Sequence, residues 1–383
     1  MVTKSFAWTL VLVACAACRT PRASTVVTPE RSERADVGRH VCPMRLLHNV
    51  PFTLVHVDDG PPEWFAVDTG APISLFDQRL ASRVRHRPVS ADSDLYAFDG
   101  VSMGDARLDD VVGAIANLDD LRAHTGIALA GIIGISTFQH MLLTLDYPGK
   151  QIVLERGALP DVDQRDVLVL TLNNYHPAIA VRLLGEPRLC ELDSGSAFFL
   201  ETNASAFTAL PLAAPSRIVA RINTISGDAN ARSARLKGTL TIGTHVVDDP
   251  VVMTQEQPVD DSLLEVVVRV GGPLLKHFVV TLDLASGKAR FVAREPFAAE
   301  PVRTLGLSFL RDASGWYVAG ALPGLPTYGV EVGDRVVSVD GAPSMSLDAE
   351  AFYPSPTDLS RRMVLTRADR TFEVTIATTV VVP

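Results

Sequence analysis

The sequence is poor in cysteine and has no excess of positive charge. Four cysteines in 383 residues are too few for a small disulfide-stabilised scaffold. The chain has 35 Lys and Arg against 44 Asp and Glu, a formal net charge of −9, and it contains no basic run. This balance argues against a nucleic-acid partner. Because 47% of the residues are hydrophobic, a largely disordered chain is excluded as well.

The sequence also lacks an uninterrupted apolar run of about 18 residues, the length that a membrane-spanning helix needs. The apolar run Phe6–Ala14 follows the basic residue Lys4 and is typical of a signal peptide. Its end resembles the lipobox of bacterial lipoproteins, in which the cysteine after a small residue is acylated and becomes the new N-terminus. The acylated residue is then Cys15, or alternatively Cys18; an ordinary secretory signal cut near Ala17 is also open.

Under each of these alternatives the protein is exported to a bacterial cell envelope. The lipobox resemblance also implies a lipid anchor in a periplasm-facing membrane. We predict a signal peptide over residues 1–14. Residues 15–40 are rich in Thr, Pro, Ser and Arg and have no apolar periodicity, so we predict a flexible tether there.

Short, often alternating apolar runs follow from Val41 onwards, separated by Asp-Gly and Pro-Gly turn signals. This pattern predicts short antiparallel strands and a mainly β fold class. The stretch is also repeated. Phe65–Ala71 matches Cys190–Ser196 at an offset of 125, and His140–Asp146 matches His277–Asp283 at an offset of 137.

Each copy contains an Asp-Thr/Ser-Gly turn after an apolar strand, followed later by an apolar-apolar-Gly element. This combination resembles the aspartic proteases. The first copy is similar to the single-lobe retroviral (retropepsin) type, and two copies in one chain are similar to pepsin. The resemblance implies two β-barrel lobes, residues 41–160 and 161–297, with Asp68 and Asp193 facing one water molecule. It also implies a polypeptide substrate and a monomer. No cofactor is expected, because water is the nucleophile.

The chemistry requires these residue types. One group must take a proton from water while another gives a proton to the scissile amide. Two carboxyl groups about 3 Å apart cannot both ionise, so they share one proton. The alternative is that Asp68 and Asp193 are turn residues of a barrel that has lost activity, which would make the protein a peptide-binding envelope scaffold.

Residues beside the two aspartates are expected to support them. The hydroxyls of Thr69 and Ser194 can hydrogen-bond across to the partner loop, and a glycine without a Cβ lets two backbones approach closely. The resemblance implies that two further glycines cross beneath the acid loops. Gly70 and Gly195 follow the acid turns and have the first role, and Gly134 and Gly271 have the second. Candidate hairpins to cover the site are Tyr96–Gly100 and Ile225–Asp228.

The last part of the chain has a different pattern. The run Val330–Gly341 contains a Gly-Asp turn, an alternating strand and an Asp-Gly pair, and it resembles the PDZ domains of bacterial envelope proteases. We predict a PDZ-like α+β domain over residues 298–383. The resemblance implies that a peptide's C-terminal carboxylate is captured by the loop formed by Leu305, Gly306, Leu307, Ser308 and Phe309. The alternative is a domain that only packs on the protease or gates its cleft.

Other kinds of site have weak support. No His, Cys, Asp and Glu cluster has the spacing of zinc ligands, so we expect no metal. Cys42 and Cys190 can pair in an oxidising compartment or lie buried as thiols, and both alternatives stay open.

Overall fold

The computed structural model describes residues 38–383, apart from 110, 174, 225–226, 256–267, 295–296, 298–299 and 356. The predicted signal peptide, most of the tether, and the lipidation candidates Cys15 and Cys18 therefore lie outside the described residues. No helix in the described part is long and apolar enough to cross a membrane. Strands dominate and the helices are short, which confirms the predicted mainly β class.

The first repeat forms a set of short strands, as its alternating apolar pattern predicts. The strands are β1 (His40–Pro43), β2 (Arg45–Leu47), β3 (Val50–His56), β4 (Glu63–Asp68), β5 (Ser74–Asp77), β6 (His86–Pro88), β7 (Leu95–Phe98), β8 (Val101–Met103), β9 (Ala106–Leu108), β10 (Val111–Ala116), β11 (Leu129–Gly134), β12 (Leu142–Asp146) and β13 (Gln151–Glu155). The helices are α1 (Gln78–Ala81) and α2 (Asp119–Thr125), with a 3₁₀ turn at Ile135–Phe138.

The second repeat has a similar succession of elements, although its described residues include no counterpart of β2 or α2. Its strands are β14 (Val167–Asn173), β15 (His176–Leu183), β16 (Glu186–Asp193), β17 (Leu200–Glu201), β18 (Arg217–Thr224), β19 (Gly227–Arg235), β20 (Thr239–Ile242), β21 (His245–Asp248), β22 (Val251–Gln255), β23 (Val268–Gly271), β24 (Phe278–Asp283) and β25 (Lys288–Ala293). The helices are α3 (Ala204–Ala209) and α4 (Gly272–Leu275).

The repeated sequence folds into a repeated topology. Hydrogen-bonded strands follow the order β6-β7-β10-β5-β11-β4-β3-β8-β9 in the first lobe and β18-β19-β22-β17-β23-β16-β15-β20-β21 in the second. In each lobe the strand that ends in the aspartate lies parallel to the strand that ends in the glycine. Asp68 is opposite Gly134, and Asp193 is opposite Gly271.

A shared sheet joins the two lobes, in the order β1-β13-β12-β24-β25-β14. Its central pair is antiparallel β12 and β24, in which Thr144 lies opposite Thr281. Buried side chains of both lobes, including Phe65 and Phe278, form one continuous apolar cluster. The two aspartates therefore belong to halves that pack as one body.

The two candidate covering segments differ in what the structure describes. In Ile225–Asp228, residues 225–226 lie outside the described residues, and Gly227 and Asp228 begin β19. In Tyr96–Gly100, the first three residues belong to β7, which pairs with β6 in the hairpin equivalent to β18–β19. Tyr96 is half-buried, whereas Phe98 is buried and stacks on Phe76 at 3.6 Å between ring centroids. Phe98 thus fixes the base of this hairpin in the core.

Cys42 and Cys190 are both buried free thiols. Cys42 lies on β1, and its thiol donates to the carbonyl of Met103 at 3.2 Å. Cys190 lies on β16 of the other lobe. The paired alternative is therefore not formed.

The C-terminal part has a sheet and core of its own. Its strands are β26 (Val302–Thr304), β27 (Leu307–Asp312), β28 (Gly315–Ala321), β29 (Arg335–Val339), β30 (Ala342–Pro343), β31 (Ser360–Arg367), β32 (Arg370–Ala377) and β33 (Thr379–Val382). A 3₁₀ turn at Ser344–Ser346 precedes α5 (Ala349–Phe352). The sheet order is β27-β28-β29-β31-β32, and Trp316 and Phe352 stack in its core. The domain boundaries and the PDZ-like identity stay predictions.

Candidate active site

The two candidate aspartates end buried strands and begin tight turns. Asp68 closes β4 and Asp193 closes β16. In each turn the amide three residues on donates to the aspartate carbonyl at 3.2 Å, from Ala71 to Asp68 and from Ser196 to Asp193. The buried apolar residues before each aspartate fix its strand in the core, so each carboxyl group emerges at a defined place.

Reciprocal hydrogen bonds hold the two turns together. Thr69 Oγ1 donates to the Leu192 carbonyl at 2.7 Å and accepts the Ser194 amide at 2.9 Å. Ser194 Oγ donates to the Val67 carbonyl at 2.7 Å and accepts the Thr69 amide at 2.9 Å. All four bonds cross between the lobes and are buried, so they fix the separation of the two acid loops.

Gly70 and Gly195 leave room for the partner's carboxyl group. A Cβ at Gly70 would lie 2.5 Å from Asp193 Oδ1, and a Cβ at Gly195 would lie 2.5 Å from Asp68 Oδ1. Both distances are shorter than any real contact of a Cβ atom. We expected these glycines to let two backbones approach. The group that fills the space is instead the opposite carboxyl group.

Gly134 and Gly271 do allow a close backbone approach. A Cβ at Gly134 would lie 2.8 Å from the Ala71 carbonyl oxygen, and one at Gly271 would lie 2.7 Å from the Ser196 carbonyl oxygen. These two glycines therefore support the acid loops from the neighbouring strands β11 and β23.

The two carboxyl groups form a buried, interacting pair. Asp68 is 1% exposed and Asp193 is 5% exposed. Each carboxyl group lies against the glycine of the opposite turn, and Asp68 Oδ1 accepts the Gly70 amide at 2.8 Å. Asp68 Oδ2 and Asp193 Oδ1 are buried and receive no hydrogen bond from any other described residue. Such a pair can hold one proton between its members.

Burial and like charge act on the protonation of both groups. Burial, followed by the charge of Asp193, raises the pKa of Asp68 well above its usual value. Burial raises the pKa of Asp193 to about 6, although the positive charge of Arg269 opposes that shift. The pair is therefore shifted toward carrying a proton at mildly acidic pH.

The sequence patterns did not reveal Tyr147, which lies near both aspartates. Its side chain is buried, and its hydroxyl has no partner among the described residues. Burial, followed by the charges of Asp193 and Asp68, raises the pKa of Tyr147, so this group stays neutral.

A charged cluster beside Asp193 was also missed. Arg269 Nε lies 3.3 Å from Glu191 Oε2 and 3.4 Å from Asp193 Oδ2, and Arg269 Nη1 lies 3.2 Å from Glu201 Oε2. The available signal was a glutamate and an arginine inside otherwise apolar strands, since Glu191 lies between Cys190 and Leu192. No group of three or more His, Cys, Asp or Glu within the described ranges is arranged to hold a metal ion.

The predicted carboxylate loop lies at the edge of the C-terminal sheet. Leu305, Leu307, Ser308 and Phe309 are buried, and Gly306 adopts a φ of 74°. β27 is the edge strand and pairs only with β28 among the described strands. The hydroxyl of Tyr353, just after α5, occupies its outer edge at Phe309: it accepts the Phe309 amide and donates to the Phe309 carbonyl, both at 3.2 Å.

The first lobe also contacts this sheet. Arg311 Nη1 on β27 donates to the Gly126 carbonyl, just after α2, at 2.6 Å. The His48 amide, in the turn between β2 and β3, donates to Glu350 Oε2 at 2.9 Å. A groove of about 790 Å³ runs between these parts. It is lined by Phe198 and Phe199, which follow Asp193, as well as by residues of the predicted carboxylate loop.

No protein-family model and no curated protein matches the chain. Among solved structures it is similar to an aspartic proteinase from Irpex lacteus, with a TM-score of 0.40 and 13% identity over 67% of this chain and 97% of that one. It is also similar to Basic 7S globulin from soybean, with a TM-score of 0.37 and 12% identity over 67% of this chain and 95% of that one. Both likenesses are too distant to carry an argument about activity.

Proposed function

We propose that this protein is an aspartic endopeptidase that uses Asp68 and Asp193 to hydrolyse peptide bonds with water. The observation that supports the proposal is the carboxyl pair itself. Two aspartates from equivalent positions of two lobes are buried, each lies against the glycine of the opposite turn, and reciprocal hydrogen bonds of Thr69 and Ser194 hold the two turns together. An aspartate that only shapes its own turn needs no partner in the other lobe.

A pair that shares one proton can perform both proton transfers of the reaction. The ionised carboxylate accepts a proton as the water oxygen bonds to the peptide carbonyl carbon, and the protonated partner gives its proton to the carbonyl oxygen. In the tetrahedral intermediate the first carboxyl returns its proton to the amide nitrogen. The C–N bond then breaks, and the former carbonyl oxygen gives a proton back to the second carboxylate, which restores the starting state.

The C-terminal unit is proposed to recruit or regulate the polypeptide by adding a peptide strand to the edge of β27. The groove supports this role, because it connects the Leu305–Phe309 loop with the segment that follows Asp193. We further propose that the mature protein begins at Cys15, or at Cys18, and is lipid-anchored and monomeric in the cell envelope. Intact-mass measurement of the mature protein tests the anchor.

Cleavage of a mixture of unfolded proteins, from acid to neutral pH, tests the proposed activity. We expect the Asp68→Asn and Asp193→Asn variants each to lose activity by about 10²-fold or more, since each removes one proton-transfer partner. The matched control is Asp369→Asn, a change in an exposed turn that should retain activity. Retained activity in Asp68→Asn would overturn the assignment of Asp68 as a catalytic residue. Absence of cleavage by wild type at every pH would favour the peptide-binding scaffold.

A further inference from the structure

The two lobes have the same topology but surround their aspartates with different charges. In the second lobe Glu191, Arg269 and Glu201 lie side by side on β16, β23 and β17. The equivalent trio in the first lobe, on β4, β11 and β5, is Ala66, Ile132 and Leu75. The internal two-fold relation between the aspartates is therefore broken by one charged trio.

This charged trio lies beside one member of the carboxyl pair, Asp193. Glu191 precedes Asp193 by two residues on the same strand, so both side chains lie on the same face of the sheet. Arg269 Nε lies 3.4 Å from Asp193 Oδ2, and its ion pairs with Glu191 and Glu201 hold the guanidinium in place. Gln255 Nε2 fixes the other oxygen of Glu201 at 2.7 Å. Within the described residues, no basic side chain forms an ion pair with Asp68.

We propose that Arg269 is a positioning residue that makes the two carboxyl groups unequal. Its guanidinium keeps Asp193 as the carboxylate that accepts the proton of the attacking water, and the shared proton stays on Asp68. This assignment rests on the proposed protease function. A nearby positive charge favours the ionised form of a carboxyl. The charge of Arg269 acts on both groups, but among the described ion pairs its direct contact is with Asp193, so its effect is greatest there.

The titratable and charged groups that face Asp193 come from several elements. They are Asp68 on β4, Glu191 on β16, Glu201 on β17, Arg269 on β23, and Tyr147 after β12. Burial raises the pKa of Asp193, the charge of Arg269 is the largest influence that lowers it, and Glu201 and Glu191 raise it.

Two groups near the pair are shifted toward their neutral forms. Burial lowers the pKa of His176 on β15, which lies near Glu191 and Arg269. Burial, followed by the charges of Asp193 and Asp68, raises the pKa of Tyr147. Arg269 is therefore the positive charge in this set that favours ionisation of Asp193.

The test is the pH dependence of kcat/KM for two near-isosteric variants. If Asp193 must be ionised, kcat/KM rises with pH as Asp193 loses its proton. Arg269→Gln should move this acid limb to higher pH by about one pH unit. Glu201→Gln removes a negative charge and should move the limb to lower pH. Arg269→Lys keeps the charge and should restore a limb close to that of wild type.

The matched control is Arg122→Gln. Arg122 is a similarly buried arginine that pairs with Asp77 and Asp119, away from the carboxyl pair. This variant should lose stability without moving the acid limb. A role of Arg269 in packing alone would lower activity in its variants but would not move the limb in opposite directions for Arg269→Gln and Glu201→Gln.

Titration of aspartate carboxyls by ¹³C NMR provides a readout that needs no activity. Signals are assigned from the Asp68→Asn and Asp193→Asn proteins. In Arg269→Gln the Asp193 signal should titrate at higher pH than in wild type, and an unchanged titration would overturn the proposal. If wild type cleaves nothing, the protease function fails while this experiment still decides the role of Arg269. If Arg269→Gln does not fold, the Glu201→Gln variant tests the role of Arg269 instead. A titration of the Asp193 signal at lower pH than in wild type supports the proposal, and an unchanged titration overturns it.

Discussion

Thr144 and Thr281 hydrogen-bond to each other through their hydroxyls at 2.8 Å, in the middle of the sheet that joins the lobes. They occupy equivalent positions of the two repeats on the paired strands β12 and β24. A bond between equivalent residues places the internal two-fold axis between them. The same axis relates the Asp68 turn to the Asp193 turn, so the carboxyl pair is assembled within one chain.

Replacing Gly70 by alanine should disrupt the carboxyl pair. The new Cβ would lie 2.5 Å from Asp193 Oδ1, and the surrounding turn is fixed by buried hydrogen bonds. We expect a loss of about 1–3 kcal/mol in the free energy of unfolding, as for overpacked cores, together with a loss of cleavage. Denaturant unfolding measures the first effect. Gly38→Ala is the control, because a Cβ there meets no atom closer than 4.0 Å; equal stability of the two variants would contradict the tight approach.

Replacing Thr69 by valine should weaken the link between the lobes. The change keeps the shape of the side chain but leaves the Ser194 amide and the Leu192 carbonyl without their partner. Each orphaned buried group costs about 1–3 kcal/mol. Urea unfolding should therefore show a lower midpoint for Thr69→Val, whereas Thr69→Ser keeps the hydroxyl and should lie close to wild type. The exposed Thr371→Val serves as the control. A Thr69→Val protein as stable as wild type would mean that the reciprocal bonds do not hold the turns.

The carboxyl pair should make stability depend on pH in a defined direction. The pKa of Asp193 is raised to about 6 from the ordinary 3.8, and that of Asp68 is also raised well above its ordinary value. A raised pKa means that the folded state holds a proton that the unfolded chain releases. The pair therefore contributes stability below about pH 4 that is lost as pH rises through about 6.

For Asp193 this loss amounts to about 3 kcal/mol. Unfolding free energies of wild type and the Asp68→Asn/Asp193→Asn double variant should be compared from pH 4 to 7. We expect the unfolding free energy of the double variant, relative to that of wild type, to increase as pH rises. A difference that stays constant across this range would show that the pair has ordinary pKa values.

Removing the hydroxyl of Tyr353 should strengthen peptide binding to the C-terminal unit. The hydroxyl occupies the amide and carbonyl of Phe309 at the edge of β27, which an added peptide strand would need. Tyr353→Phe frees the amide and carbonyl of Phe309, so we expect about tenfold tighter binding of a fluorescent C-terminal peptide library. Tyr317→Phe, on the adjacent strand β28, is the matched control. If both variants bind like wild type, the edge of β27 is not the peptide site.

The sequence by itself determined the mainly β class, the internal repeat and the position of both aspartates. It did so because strands impose an alternating apolar pattern, and because each copy of the repeat carries the same Asp-Thr/Ser-Gly turn after an apolar strand. These patterns extend over a few residues and are therefore visible along the chain, whereas the reason for glycine at Gly70 and Gly195, a carboxyl group from the opposite lobe, is not.

Only the tertiary structure decided what depends on contacts between distant residues. Arg269 meets Asp193 because β16 and β23 pair, although the two residues are far apart in sequence. Phe98 belongs to the β6–β7 hairpin, and its stacking on Phe76 shows that its side chain lies in the core. Tyr353 caps the edge of β27 because α5 packs against that strand, and no local pattern encodes such packing.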